Sequence, residues 1–252
     1  MNCIPILRYT HIRDMQDSHS VSLAVFEKQI EYLQKKSYTF LSLDDMIAIK
    51  QGQMELPQKC VLLTFDGAWR DIYQNAYEVL KHHWVKAGLF VVTEWIDESS
   101  KQKQEYQPIP HSECKNTLLH SPRSVMCNWE EVRKMQDVFS IGSMTHTYQF
   151  SNVVSVSWHD DFELSKRLIK ERLGVDTKHL AWPDGNYNQG LLRTAKSMGY
   201  EAFYTMQGGL NQVEESNDAL KRFDVKDNLF WFKKVLFATS STRNFRIGKL
   251  LL

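Results

Sequence analysis

Val61-Leu-Leu-Thr-Phe-Asp-Gly-Ala-Trp-Arg-Asp71 is the stretch on which the fold turns. Val61 to Thr64 is a short apolar run and reads as a buried strand. Asp66 follows just past its end. In parallel α/β folds chemistry collects at the carboxyl ends of strands, so an acid there is a candidate general base. The same residue also reads as a cap for the next helix, which starts near Asp71 or Ile72. Position alone leaves both readings open.

The neighbouring residues favour chemistry. Thr64-Phe65-Asp66 resembles the Thr-Phe-Asp-Asp-Gly motif of the polysaccharide deacetylase family (NodB-homology, carbohydrate esterase family 4). In that motif the first Asp is the catalytic base and the second binds the metal. Asp66 matches the first; Gly67 stands at the second, Ala68 at the motif glycine and Trp69 at the usual aromatic. Asp71 to Leu80 and Val85 to Val92 resemble the family's following helix and strand. The resemblance implies an α/β fold, a distorted (β/α) barrel with about seven parallel strands.

A second region is similar to the family's Gly-Ser-His-Thr-x-x-His pattern, whose two His complete the metal site. Here it reads Gly142-Ser143-Met144-Thr145-His146-Thr147-Tyr148, so Met144 and Tyr148 hold the two ligand positions. A thioether is too soft for a hard divalent ion. A phenol with a pKa near 10 is a poor ligand at neutral pH. No cofactor is therefore expected at the family site, and a divalent metal such as Zn2+ only if the site has been rebuilt. His146 lies between the two positions and is a candidate catalytic residue beside Asp66, or a hydrogen-bonded structural histidine. Two protein ligands fall short of a catalytic zinc site, which has three plus water.

The third region, His179 to Asn188, resembles the family's aromatic-Pro-aromatic-Gly loop. Asp184 replaces the usual aromatic, and Pro-Asp-Gly is itself a strong turn sequence. In many relatives an Arg of this loop pairs with the catalytic Asp; Ala181 is the nearest match here. Trp69, Trp182 and Tyr187, with Trp95, lie near predicted strand ends. Sugar rings stack on aromatic faces, so these residues and Asp184 are candidate substrate contacts; core packing is the alternative for each aromatic.

The opening Ile4-Pro-Ile-Leu-Arg-Tyr-Thr-His-Ile12 resembles the first strand of the branch that deacetylates poly-N-acetylglucosamine. A Tyr-His pair usually follows that strand; Thr10 takes the His place and His11 is one further on. Ser22 to Lys36 reads as a helix with Phe26, Ile30 and Leu33 on one face. A short strand over Phe40 to Leu43 and a helix opened by Asp44 and Asp45 come next. Asn128 with Glu131 forms a capping box, and Ser157 caps a helix to about Leu173 whose Glu163, Lys166, Arg167 and Lys170 face solvent. The family's closing Leu-His motif has no counterpart; Phe245 to Leu252 is apolar and basic.

Length and composition agree with this. A chain of 252 residues with 42% hydrophobic and 24% charged residues fits one polysaccharide-deacetylase-like domain over 1–252. A net charge of +1 gives no polyanion signal, so nucleic acid is not an expected partner. The expected partner is a glycan or acetylated amino sugar, and the oligomer is left open. No run approaches a membrane span, and no basic-then-apolar leader precedes Cys3. The expected location is cytoplasmic, or exported if the chain is trimmed.

Residues 97–128 read as a loop insertion over the active-site face, where loops form lids and walls. His111, Cys114, His120 and Cys127 within it could gather a structural zinc, although their spacing matches no standard pattern. Cys60 reads as a core residue.

Two functional readings follow. One is a divergent deacetylase hydrolysing acetyl groups on amino sugars of cell-surface glycans, with a rebuilt site using Asp66, His146 and His11 or Asp184. The other is a catalytically inactive family member that binds glycan or a partner in the old cleft.

Overall fold

A computed structural model describes residues 3–149 and 157–240 of the chain. Eight parallel strands form the main sheet: β1 Ile6–Tyr9, β2 Thr39–Leu41, β3 Cys60–Gly67, β4 Ala87–Val91, β5 Phe139–Ser143, β6 His179–Ala181, β7 Ala202–Tyr204 and β8 Phe223–Asp224. Seven of them run in the order β7-β6-β5-β4-β3-β1-β8, and β2 pairs with the first half of β3. The sheet curls into the incomplete barrel expected of the motif order. Because the strands are parallel, their carboxyl ends lie along one rim, and the loops that follow build the site there.

Alternation along the strands assigns each residue a face. Leu7, Leu63, Phe65 and Leu89 join one apolar cluster, with Phe26, Ile30 and Leu33 of the helix Leu23–Lys35. Ile6, Leu62 and Phe90 join a second with Ala181, Ala202 and Tyr204. Arg8 pairs in register with Thr64, and both lie on the face of Ile6 and Leu62. Asp66, two residues after Thr64, shares that face.

The central strand is longer than its apolar run, reaching Gly67, so Asp66 lies within it. Pairing with β4 through Asp66 and Gly67 extends it. A wide π turn, Ile72–Ala76, precedes the helix Tyr77–His82. The capping box of Asn128 and Glu131 is formed, and Ser42 with Asp45 forms another ahead of Leu43–Lys50. Ser157 takes the N-cap position of Trp158–Leu173 without a side-chain bond.

Residues 97–128 are more ordered than a loop: they include the end of Thr93–Ser100 and the helices His111–Leu118 and Pro122–Val125. Arg123 and Arg70 fasten them, both bonding Glu131, and Arg70 also donates to the Arg123 carbonyl at 2.9 Å. Phe245 to Leu252 lies outside the described residues. Among those described, no helix is long and apolar enough to cross a membrane.

Candidate functional site

Asp66 sits at the carboxyl end of β3, 4% exposed. Arg222, fully buried just before β8, donates to it through both arms of the guanidinium, Nη1 to Oδ1 at 2.6 Å and Nη2 to Oδ2 at 2.9 Å. Arg222 Nε donates to the Thr205 carbonyl at 2.8 Å, and the guanidinium lies 5.5 Å from the Phe90 ring centre. Arg8 adds a longer contact to Asp66 Oδ2 at 3.4 Å and bonds Asp224. Burial works against the Arg8 charge, but the two carboxylates outweigh it and hold its pKa above the ordinary value. The partner of Asp66 is thus Arg222, and not a residue near Ala181. Nothing in the sequence around Arg222 marks it. Arg8 does carry a signal: it is a lone cation in the apolar run Ile4–Tyr9.

The three positions aligned with the family's ligands surround the same cleft. Gly67 adopts φ +97°, and a Cβ placed on it would lie 2.7 Å from Trp69 Nε1. Ala68, at the motif glycine, keeps a positive φ of 59°. Met144 is buried against the inner core cluster. The Tyr148 hydroxyl donates to Asp184 Oδ1 at 2.8 Å, and burial, then the nearby carboxylates, push the phenol's pKa above its ordinary value. Absent side chain, thioether and hydrogen-bonded phenol do not fit a hard divalent ion at these positions.

Asp184 proves to be both turn and wall: it takes φ 49° in the turn Pro183–Gly185 and lines the cleft through its carboxylate. Trp69 also lines the cleft, with Trp95 at 5.6 Å between ring centres. Trp182 does not. It is wholly buried, stacked between Tyr187 at 5.1 Å and Phe203 at 5.8 Å, so its faces are packing surfaces with none left for a sugar. Tyr187 is half-buried on that stack, away from the cleft lining.

His146 stands apart from Asp66. Its Nδ1 meets Thr93 Oγ1 at 2.9 Å and its backbone N–H donates to Asp161 at 3.1 Å, which fixes the loop after β5. It does not line the cleft. The histidines that do are His19 and His111, neither singled out as a site residue with Asp66. The pairing of zinc-ligand candidates is also different from the spacing-based set. Cys114 and His111 meet His11. Cys127 is buried elsewhere, donating to the Trp69 carbonyl at 3.5 Å, and His120 is exposed. Burial, with His11 and His19 close by, pushes His111 down to about 3, so it is neutral at physiological pH.

The deep part of the cleft is small, about 50 Å3. A wider hollow of about 480 Å3 adjoins it, sharing Trp95, Lys115 and Tyr148. Together they give a narrow polar end, with Asp66, Asp184 and Arg8, that opens past aromatic faces into room on the scale of a ligand site.

Comparison with known proteins places this geometry. The family model for polysaccharide deacetylase matches residues 53–203. A putative polysaccharide deacetylase of Bacillus subtilis, YxkH, is 25% identical over 90% of this chain and 72% of its own length. The poly-beta-1,6-N-acetyl-D-glucosamine N-deacetylase of Escherichia coli is 21% identical over 83% of this chain, which spans only 34% of that enzyme. Among solved structures, IcaB from Ammonifex degensii superposes with a TM-score of 0.76 at 19% identity, covering 96% of this chain and 98% of that one. The Streptococcus pyogenes deacetylase PplD, in complex with acetate, gives 0.74 at 22%, covering 90% and 93%. At these identities the structural likeness concerns the fold.

Proposed function

The chain belongs to the polysaccharide deacetylase family, and from that premise we propose that its cleft binds an acetylated amino sugar of a glycan without the family's standard metal-dependent hydrolysis. The observation that carries this reading is Gly67. Where the family places a metal-binding carboxylate, the space of a side chain is taken by the Trp69 indole. Met144 and Tyr148 at the other two positions supply no hard-ion ligand set.

The remaining groups suit recognition of an acetamide. Asp184 offers an acceptor to its N–H, Arg8 offers donors to its carbonyl, and Met144 presents an apolar surface to its methyl. The sugar ring has the half-buried Trp95 to lie against, with Trp69, only 3% exposed, packed behind it. The small inner volume holds a group the size of acetyl, and the adjoining hollow takes the sugar. Similarity to a poly-beta-1,6-N-acetyl-D-glucosamine N-deacetylase supports an amino-sugar ligand.

Hydrolysis asks for more than these groups give. General base assistance supplies about 10²–10⁴-fold, well below what amide hydrolysis requires. Asp66 also spends its lone pairs on Arg222 and Arg8. Its role here is to hold Arg8 at the cleft and Arg222 in the core beneath it.

The test is calorimetric titration of metal-stripped protein with oligosaccharides of N-acetylglucosamine and with their deacetylated forms. The acetylated ligand binds, the deacetylated one binds less, and Trp95→Ala weakens binding by about 1–3 kcal/mol. Acetate release that disappears in Asp66→Asn would show a working hydrolase and overturn the reading.

A further inference from the structure

We propose that His11, His111 and Cys114 form a soft divalent-metal site, suited to Zn2+, on the wall of the cleft and separate from the family's ligand positions. Their donor atoms all lie within 4.8 Å of one another. The His11 Nε2 and His111 Nδ1 atoms face each other at 2.9 Å. Tetrahedral zinc, with bonds of about 2.0–2.3 Å, spaces such donors by about 3.3–3.7 Å, so the ion enters after small shifts of side chains.

The support behind the cluster is what distinguishes it from a chance meeting. Asp71 Oδ1 lies 2.9 Å from His11 Nδ1, while its Oδ2 accepts from the Ile12 backbone N–H at 2.7 Å. A carboxylate bonded to one ring nitrogen fixes the tautomer and aims the other nitrogen's lone pair at the metal. Here that lone pair points at His111. On the sulfur side, Arg13 Nη1 lies 3.9 Å from Cys114 Sγ, a cation beside the atom that must become a thiolate.

Two of the three ligands are fully buried, His11 and Cys114 both at 0% exposure, whereas His111 reaches the cleft and gives the ion its way in. Two imidazoles and a thiolate select zinc, cobalt or copper over magnesium and calcium. Three protein donors leave one position open, as in zinc sites that also take water or a ligand. His11 and His111 come from segments 100 residues apart, so the insertion brings the second half of the site to the first strand's end.

The experiment uses the full chain, stripped with chelator and titrated with Co2+ under reducing conditions. Binding at one equivalent with a thiolate-to-cobalt charge-transfer band in the near ultraviolet is the expected result, with Zn2+ displacing the band. Cys114→Ser removes the band and His111→Ala weakens Co2+ by more than about 100-fold. Asp71→Asn, which spares all three ligands, weakens it by about 10–100-fold. Cys3→Ser leaves the band in place. Circular dichroism of each stripped variant confirms folding. Absence of a band in the wild type, or a band that survives Cys114→Ser in a folded variant, overturns the site. No glycan enters this titration, and the glycan titration uses stripped protein, so the two readings fail separately.

Discussion

Arg222 holds both carboxylate oxygens of Asp66, at 2.6 and 2.9 Å, from a position 156 residues further along the chain. The pair joins the central strand to the last strand of the sheet, across the inner face of the barrel. It is buried on both sides, with Arg222 at 0% and Asp66 at 4% exposure. Removing one partner leaves a buried charge with little to replace it, a loss of about 3–5 kcal/mol. Arg222→Ala is therefore expected to lower the free energy of unfolding by about that amount in urea titrations. The double variant with Asp66→Asn should lose less than the sum of the single changes, with a coupling of about 1–3 kcal/mol. Additive losses would mean that the two side chains do not depend on each other.

Gly67 is constrained by its backbone and by its neighbour. At φ +97° any side chain is strained, and a Cβ meets the Trp69 indole at 2.7 Å. The backbone strain alone is worth about 1–3 kcal/mol. Gly67→Ala and Gly67→Asp should both destabilise by at least about 1 kcal/mol, measured by chemical denaturation. Restoring the carboxylate of the family motif thus costs stability here. A Gly67→Asp chain as stable as the wild type would show that the turn adapts.

Tyr148→Phe deletes only the hydroxyl that donates to Asp184 at 2.8 Å. Asp184 is half-buried and water can replace the donor, so the expected loss is about 1 kcal/mol. The ring stays against Trp95, 4.8 Å between centres, and the aromatic wall of the cleft is kept. Glycan affinity in this variant separates the wall from the hydrogen bond: unchanged affinity assigns the contact to the ring.

Much of this was legible in the chain. The order of strand, motif and helix around Thr64-Phe65-Asp66 sets the barrel, because those signals are local: apolar runs, a capping box at Asn128, turn residues at Pro183 to Gly185. The partners within the site were not. Arg222 meets Asp66, and His11 meets His111, through closure of the sheet and docking of the insertion, and neither pair leaves a spacing in the sequence. Trp182 stayed open between a sugar contact and core packing for another reason. Its place at a strand end is right, but chain position does not fix where a side chain points, and its ring turns into the packing of Phe162 and Phe203.

Acid should loosen the insertion through the half-buried His111. The unfolded chain protonates His111 near pH 6.5. In the folded chain burial, with His11 and His19 nearby, holds it at about 3. Between those values the unfolded state binds the additional proton, so stability falls as pH drops from about 6.5 toward 3 and is intact above that window. His19, also lowered by burial, acts in the same direction. Denaturation midpoints measured with chelator present, from pH 7.5 to 4.5, should decline more steeply in the wild type than in His111→Gln, which carries no titrating ring. Equal slopes in the two proteins would mean that His111 is protonated as readily in the folded chain as in the unfolded one.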